Sequence, residues 1–236
     1  MSLADRKILI VGGTRGIGRA VAEGALAARA EVIVTARSAD RLSGLPPGLR
    51  GSVLDYTDSD SVKALAASLG TLDHLVLSAS SDLAWGSFCD VSEEALRRAF
   101  EGKFWGYWRM VHAFAPRMAP GGSITLVTGA AARAAVPGTA GLAAVNGALE
   151  AMAKVLAAEL APLRVNSISP GITATEAYAG MPGAARQAMF AAAAAKLPAG
   201  RIGEAADIAD AILMAAANPF LTGATIDIDG GLHLPR

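Results

Sequence analysis

The residues Gly12 to Gly18 have the types and spacing to grip a phosphate. Val11-Gly12-Gly13-Thr14-Arg15-Gly16-Ile17-Gly18 follows a β-branched apolar run and opens a helical stretch, with the spacing Gly-x-x-x-Gly-x-Gly. Glycines let the backbone turn sharply and approach an anion closely, and a helix N-terminus offers free N–H groups and partial positive charge. A glycine pattern alone is weak, but a strand before it and a helix after it point to a dinucleotide pyrophosphate. Arg37 follows the second apolar run, where a carboxylate would bond the ribose 2′-hydroxyl of NAD. Ala36-Arg37-Ser38 supplies no carboxylate. A guanidinium there suits a 2′-phosphate through charge-assisted, bidentate bonds, and Arg15 adds a second cation. Together they favour NADP (NADPH). Asp55, with Tyr56 beside it after the third run, is placed to accept a bond from the adenine amino group.

The elements that must position these residues can be read from periodicity. Ile8 to Val11, Val32 to Val34, Ser52 to Leu54, Leu75 to Leu77, Ser123 to Thr128, Arg164 to Ile168 and Thr225 to Ile228 are predicted strands. Their apolar residues are consecutive, which suits strands buried on both faces. Predicted helices run over Ile17 to Ala30, Ser59 to Leu69, Leu142 to Leu160 and Glu204 to Ala217. Another runs from a capping box at Ser92 to about Phe114. This alternation predicts an α/β fold: a doubly wound, Rossmann-like parallel sheet with right-handed crossovers. No linker or repeat interrupts residues 1–236, so one domain is expected. A Gly/Pro-rich segment at about 172–200 is a candidate mobile lobe over a site.

Composition narrows the partners. The chain has 236 residues, 53% hydrophobic, with zero formal net charge, so no basic field invites nucleic acid. The sequence also predicts no membrane partner: no run of about 18 uncharged apolar residues occurs, and Asp5, Arg6 and Lys7 leave no targeting segment before the first strand. Cys89 is the one cysteine, which fits a reducing, cytoplasmic setting, and it is expected to be a buried spectator. His74, His112 and His233 share no ligand spacing, so no metal site is expected.

At this point the chain resembles the short-chain dehydrogenase/reductase family over nearly all its length. The resemblance rests on Gly12, Gly16 and Gly18; on Asp55; and on Leu75-Val76-Leu77-Ser78-Ala79-Ser80. It continues through Arg164-Val165-Asn166-Ser167-Ile168-Ser169-Pro170-Gly171 with Thr175, then Arg201-Ile202-Gly203, Asp207-Ile208-Ala209, Thr222-Gly223 and Asp229-Gly230-Gly231. It implies cofactor contacts from Gly12, Thr14, Arg15, Gly16, Ile17, Gly18, Arg37, Ser38, Asp55, Tyr56, Ser78, Ala79, Ser80, Asn146, Pro170, Gly171, Ile172 and Thr175. It also implies a small-molecule substrate and a homodimer or homotetramer, with the Leu142 to Leu160 helix against a partner.

The family's catalytic Asn, Ser, Tyr and Lys are absent. Their positions hold Lys103, Gly129, Leu142 and Asn146, as in a divergent bacterial branch of the family. Leu142 cannot donate a proton, and Asn146 carries no charge to tune a neighbour. Two readings follow. In one, the chain is an NADP(H)-dependent oxidoreductase acting on a carbonyl, imine or activated alkene with a rebuilt site. Lys103 is then proton donor or electrophile, Thr128 supplies a hydroxyl, and Tyr178 reaches in from the lobe. In the other, it is a catalytically inactive NADP(H)-binding protein, a redox sensor or assembly subunit. Tyr107, one turn beyond Lys103, is expected to pack with Trp105 or Trp108.

Overall fold

The computed structural model describes residues 2–79 and 84–234. Among these, the strands in chain order are β1 (Lys7–Val11), β2 (Glu31–Ala36), β3 (Leu49–Val53), β4 (Leu72–Leu77), β5 (Met118–Val127), β6 (Arg164–Pro170), β7 (Thr173–Ala174), β8 (Gly203–Glu204) and β9 (Thr225–Ile228). β7 and β8 pair with each other, and the rest form one parallel sheet in the order β3-β2-β1-β4-β5-β6-β9. The doubly wound reading holds. The order reverses between β1 and β4, the switch point outside which open sheets of this kind bind their ligands.

Alternate residues of each strand feed two cores. Leu9, Val11, Leu75, Leu77 and Ile124 face α2 (Ser59–Leu69), α4 (Gly106–Phe114) and α5 (Ala140–Glu159). Ile8, Ile10, Val34, Val76 and Ile168 face α1 (Gly16–Ala27) and α7 (Ala205–Ala217). Both faces of the sheet are covered, so the runs need no polar alternation. By length and composition α5 is apolar enough to cross a membrane. Here it flanks the sheet, with Leu149, Ala153 and Ala157 in the core and Asn146 buried.

Several local expectations change. Helix α1 stops at Ala27 rather than Ala30. Arg29 takes a left-handed conformation (φ 64°), and the Ala30 N–H turns back to the Ala25 carbonyl at 3.0 Å. Ser92 caps α3 (Glu93–Ala99) by accepting from the Ala95 N–H at 3.1 Å, but Ala95 has no side chain to complete a capping box. At α7 the Asp207 carboxylate does reach back, accepting from the Glu204 N–H at 2.7 Å. The stretch from Ser92 to Phe114 is helical, with a π turn over Phe100–Trp105 joining α3 to α4. The Gly/Pro-rich segment carries a helix the pattern did not show, α6 (Gly183–Ala194), whose alanines give no periodic stripe. Cys89 is exposed, contrary to expectation, because it lies in the irregular stretch before α3 rather than on an element facing the core.

The family-like segment at Arg164 to Asn166 is structural. The buried Arg164 guanidinium donates to the carbonyls of Ala215 (2.7 Å) and Ala216 (2.6 Å), closing the C-terminus of α7. Asn166 donates to the Leu221 carbonyl at 3.0 Å and accepts from the Ala224 N–H at 3.1 Å.

Candidate active site

The predicted dinucleotide residues gather at one end of the sheet. Gly12 to Gly18 follow β1, Arg37 and Ser38 follow β2, Asp55 and Tyr56 follow β3, and Ser78 and Ala79 follow β4. Pro170 ends β6, with Gly171, Ile172 and Thr175 just beyond. Ser80 lies outside the described residues. The turn needs its glycines for space. A Cβ on Gly18 would lie 2.3 Å from the Gly12 carbonyl oxygen, and one on Gly12, itself at φ +84°, would lie 3.0 Å from the Ala79 nitrogen. Backbone therefore lines a cradle that side chains would fill, which fits a pyrophosphate. A Cβ on Gly16 would meet Thr175 at 3.4 Å and the Glu176 carboxylate at 3.5 Å, so the turn after β7 lies against the cradle.

The cations and the acid stand where the sequence put them. Arg15 and Arg37 are exposed, and neither has an ion-pair partner among the described residues. Asp55 accepts from the Thr57 hydroxyl (2.6 Å) and N–H (2.9 Å), and these bonds hold its carboxyl below the usual range, with Arg37 and Arg109 assisting. Tyr56 is more than a wall. Its hydroxyl donates to the Gly102 carbonyl at 2.8 Å and its ring fills the space beside Gly106, so it braces the π turn. Burial raises its pKa.

That π turn carries Lys103 into the interior. The Lys103 Nζ donates to the Asn146 Oδ1 at 2.8 Å and to the Thr128 carbonyl at 3.0 Å. Burial lowers its pKa to about 8, against a raising effect from Glu150. An ammonium has three donors, so one N–H remains beyond these two bonds. The Thr128 hydroxyl has one proton and two acceptors in reach, the Glu150 Oε1 at 3.1 Å and the Ile168 carbonyl at 3.2 Å. The Ile168 carbonyl already accepts from the Thr128 N–H at 2.8 Å, so the hydroxyl proton goes to the carboxylate. A Cβ at Gly129 would stand 3.0 Å from the Asn146 Nδ2, so any side chain there would press on Asn146. Leu142 lies in the first turn of α5, one turn before Asn146, and is half-buried.

Tyr178 and Tyr107 serve other ends. The Tyr178 ring packs edge-on against Phe190 of α6, with centroids 5.2 Å apart. Tyr107 is fully buried, and its hydroxyl donates to the Ala79 carbonyl at 2.7 Å. It does not join Trp105 and Trp108, which pack together on the exposed side of the helix. The structure also joins residues the sequence reading passed over: Glu150 faces Arg133 at 3.8 Å, and Arg133 bonds Asp227 at 3.0 Å. Asn146 and Glu150, one helical turn apart, were the available signal. Asp227, Asp229 and His233 also converge, with ligand atoms within 4.8 Å. Asp229 accepts from the Gly231 N–H (2.9 Å), the His233 N–H (2.9 Å) and the His233 ring (2.8 Å), so it holds the C-terminal turn.

Known proteins resemble this chain over nearly its whole length. A family model described as Enoyl-(Acyl carrier protein) reductase matches residues 11–233. A short-chain dehydrogenase/reductase of Stachybotrys chlorohalonatus, ATR9, is 31% identical, with 99% of each chain covered. D-erythrulose reductase of Gallus gallus is 30% identical, covering 98% of this chain and 97% of its own. A solved small-chain dehydrogenase in complex with NADPH is 38% identical, has a TM-score of 0.85, and covers 98% of this chain and 100% of its own.

Proposed function

The chain belongs to the short-chain dehydrogenase/reductase family, and on that premise we propose that it is an NADP(H)-dependent oxidoreductase with Lys103 as its proton carrier. Its substrate is a small carbonyl, imine or activated alkene. The single observation that carries this reading is the buried Lys103 Nζ, held by Asn146 and Thr128 with one N–H left over. The dinucleotide, when bound, supplies or takes the hydride. Gly12, Gly16 and Gly18 would receive its pyrophosphate, Arg15 and Arg37 its 2′-phosphate, and Asp55 its adenine. The solved relative bound to NADPH supports this choice of cofactor.

In the reducing direction the Lys103 ammonium gives a proton to the substrate oxygen or nitrogen, and in the oxidising direction the free amine takes it back. A pKa near 8 suits both roles at neutral pH. Leu142 and Gly129 leave no other donor at the positions the family uses, and Asn146 orients Lys103. Thr128 fixes the backbone below it, and Tyr178 belongs to the lobe's packing.

The test is NADPH titration by fluorescence, then a screen of ketones, imines and enones. We expect binding and turnover, with turnover abolished by Lys103→Ala while NADPH affinity holds. NADPH bound but never oxidised across the panel would select the inactive binding protein instead. The same premise extends to assembly. Val155 on α5, Trp105 on the π turn and Trp108 on α4 are exposed apolar groups, and they suit a homodimer or homotetramer. Light scattering on the eluted protein checks this, and a monomer would overturn it.

A further inference from the structure

We infer that Glu150 is a positioning residue for Lys103: it is the half-buried counter-charge, tied in through Thr128, that keeps the ammonium charged where Asn146 and Thr128 hold it. The inference rests on the reading of Lys103 as proton carrier, but its test needs no turnover. A buried ammonium is costly unless something compensates it. Both hydrogen-bond partners of Lys103, the Thr128 carbonyl and the Asn146 amide, are neutral. The carboxylate acting on it is Glu150, one helical turn beyond Asn146 on the same face of α5.

Thr128 is the physical link. Its carbonyl accepts from Lys103 at 3.0 Å and its hydroxyl donates to Glu150 at 3.1 Å. Behind Glu150 stand Arg133 at 3.8 Å and then Asp227, so four charges alternate in sign from the cleft to β9. The other titratable groups nearby are the neutral hydroxyls of Tyr107, committed to Ala79, and Tyr56, committed to Gly102. Burial lowers the Lys103 pKa and Glu150 opposes it. Burial, with Asp227, raises the Glu150 pKa above the usual carboxylate value, and the Thr128 bond and Arg133 oppose that rise.

Opposite signs distinguish this role from simple packing. In protein labelled with ¹⁵N-lysine, the Lys103 Nζ signal, assigned by its loss in Lys103→Arg, should titrate near pH 8. In Glu150→Gln the midpoint should fall by about one pH unit. In Arg133→Gln, where Glu150 is less neutralised, it should rise. Glu150→Asp keeps the charge and should stay near the native value. An unmoved midpoint in Glu150→Gln, or shifts of the same sign in Glu150→Gln and Arg133→Gln, overturns the inference. If Glu150→Gln does not fold, the Arg133→Gln and Glu150→Asp titrations decide it: a midpoint that does not rise in the first, or falls in the second, overturns it. Where turnover is found, its alkaline limb should move with the Nζ midpoint. A moved midpoint with an unmoved limb removes Lys103 from the chemistry and leaves the role of Glu150 intact.

Discussion

At Arg37 the choice between two dinucleotides comes down to a guanidinium and whether a phosphate is there to meet it. Arg37 and Arg15 are exposed without ion-pair partners among the described residues, so no internal salt bridge must break before they bind. A charge-assisted bond contributes about 1.5–3 kcal/mol. Arg37→Ala should therefore weaken NADPH binding roughly 10- to 100-fold and NADH binding little, as calorimetric titration would show; equal losses would refute the assignment. Gly18→Ala tests the cradle. Its Cβ would lie 2.3 Å from the Gly12 oxygen, a clash no rotamer can relieve. The turn must shift, and NADPH binding should be lost while circular dichroism still reports the fold. At this scale the sequence is highly legible, because glycine and arginine act through their own chemistry. Lys103 is only half legible. Its type can be read, but its two partners come from segments 25 and 43 residues away.

Those partners meet because of an element that leaves little trace in sequence. The π turn over Phe100–Trp105 rotates Lys103 and Tyr107 inward and leaves Trp105 and Trp108 outside. Periodicity predicts a helix from Ser92 to Phe114 but not the extra residue that changes its facing, since a π turn has no residue signature comparable to a capping serine. Tyr107 therefore faces the core and not the two tryptophans. Its hydroxyl instead pins Ala79, whose backbone abuts Gly12. Tyr107→Phe leaves that carbonyl without its 2.7 Å donor. The expected cost is about 1–3 kcal/mol of stability, read by denaturant titration, with a several-fold loss of NADPH affinity as Ala79 relaxes from the cradle. A stability loss with unchanged affinity would show that Ala79 does not set the cradle. Helix α6 escaped for the converse reason: its alanines favour a helix, but Gly and Pro around them dominate the pattern.

The whole molecule segregates its two ends. The doubly wound parallel sheet was legible because consecutive apolar runs such as Ile8 to Val11 suit burial between two helical layers, whereas the strand order comes from the structure. The charge economy of the interior was not, since it depends on which polar residues the sheet brings side by side. On the early part of β4 lies His74, buried, with its Nδ1 2.9 Å from the Ser123 hydroxyl on β5. Burial lowers its pKa from 6.5 to about 4 despite the opposing pull of Asp73. Below pH 6.5 the unfolded chain takes up a proton there that the folded chain refuses. The unfolded state then binds more protons, so stability is full above that pH, falls as pH drops, and levels off below about 4. The gap corresponds to about 3 kcal/mol. Denaturant titrations at pH 7.5 and 4.5 should show a loss of that order, and His74→Gln should lack most of it. Asp207, held down to about 2 chiefly by its bond to Arg201, adds stability that is lost mainly as pH falls below its unfolded value of 3.8, so it does not blur this window. An equal acid loss in His74→Gln would mean that His74 is protonated in the folded state, with the Ser123 oxygen accepting from it.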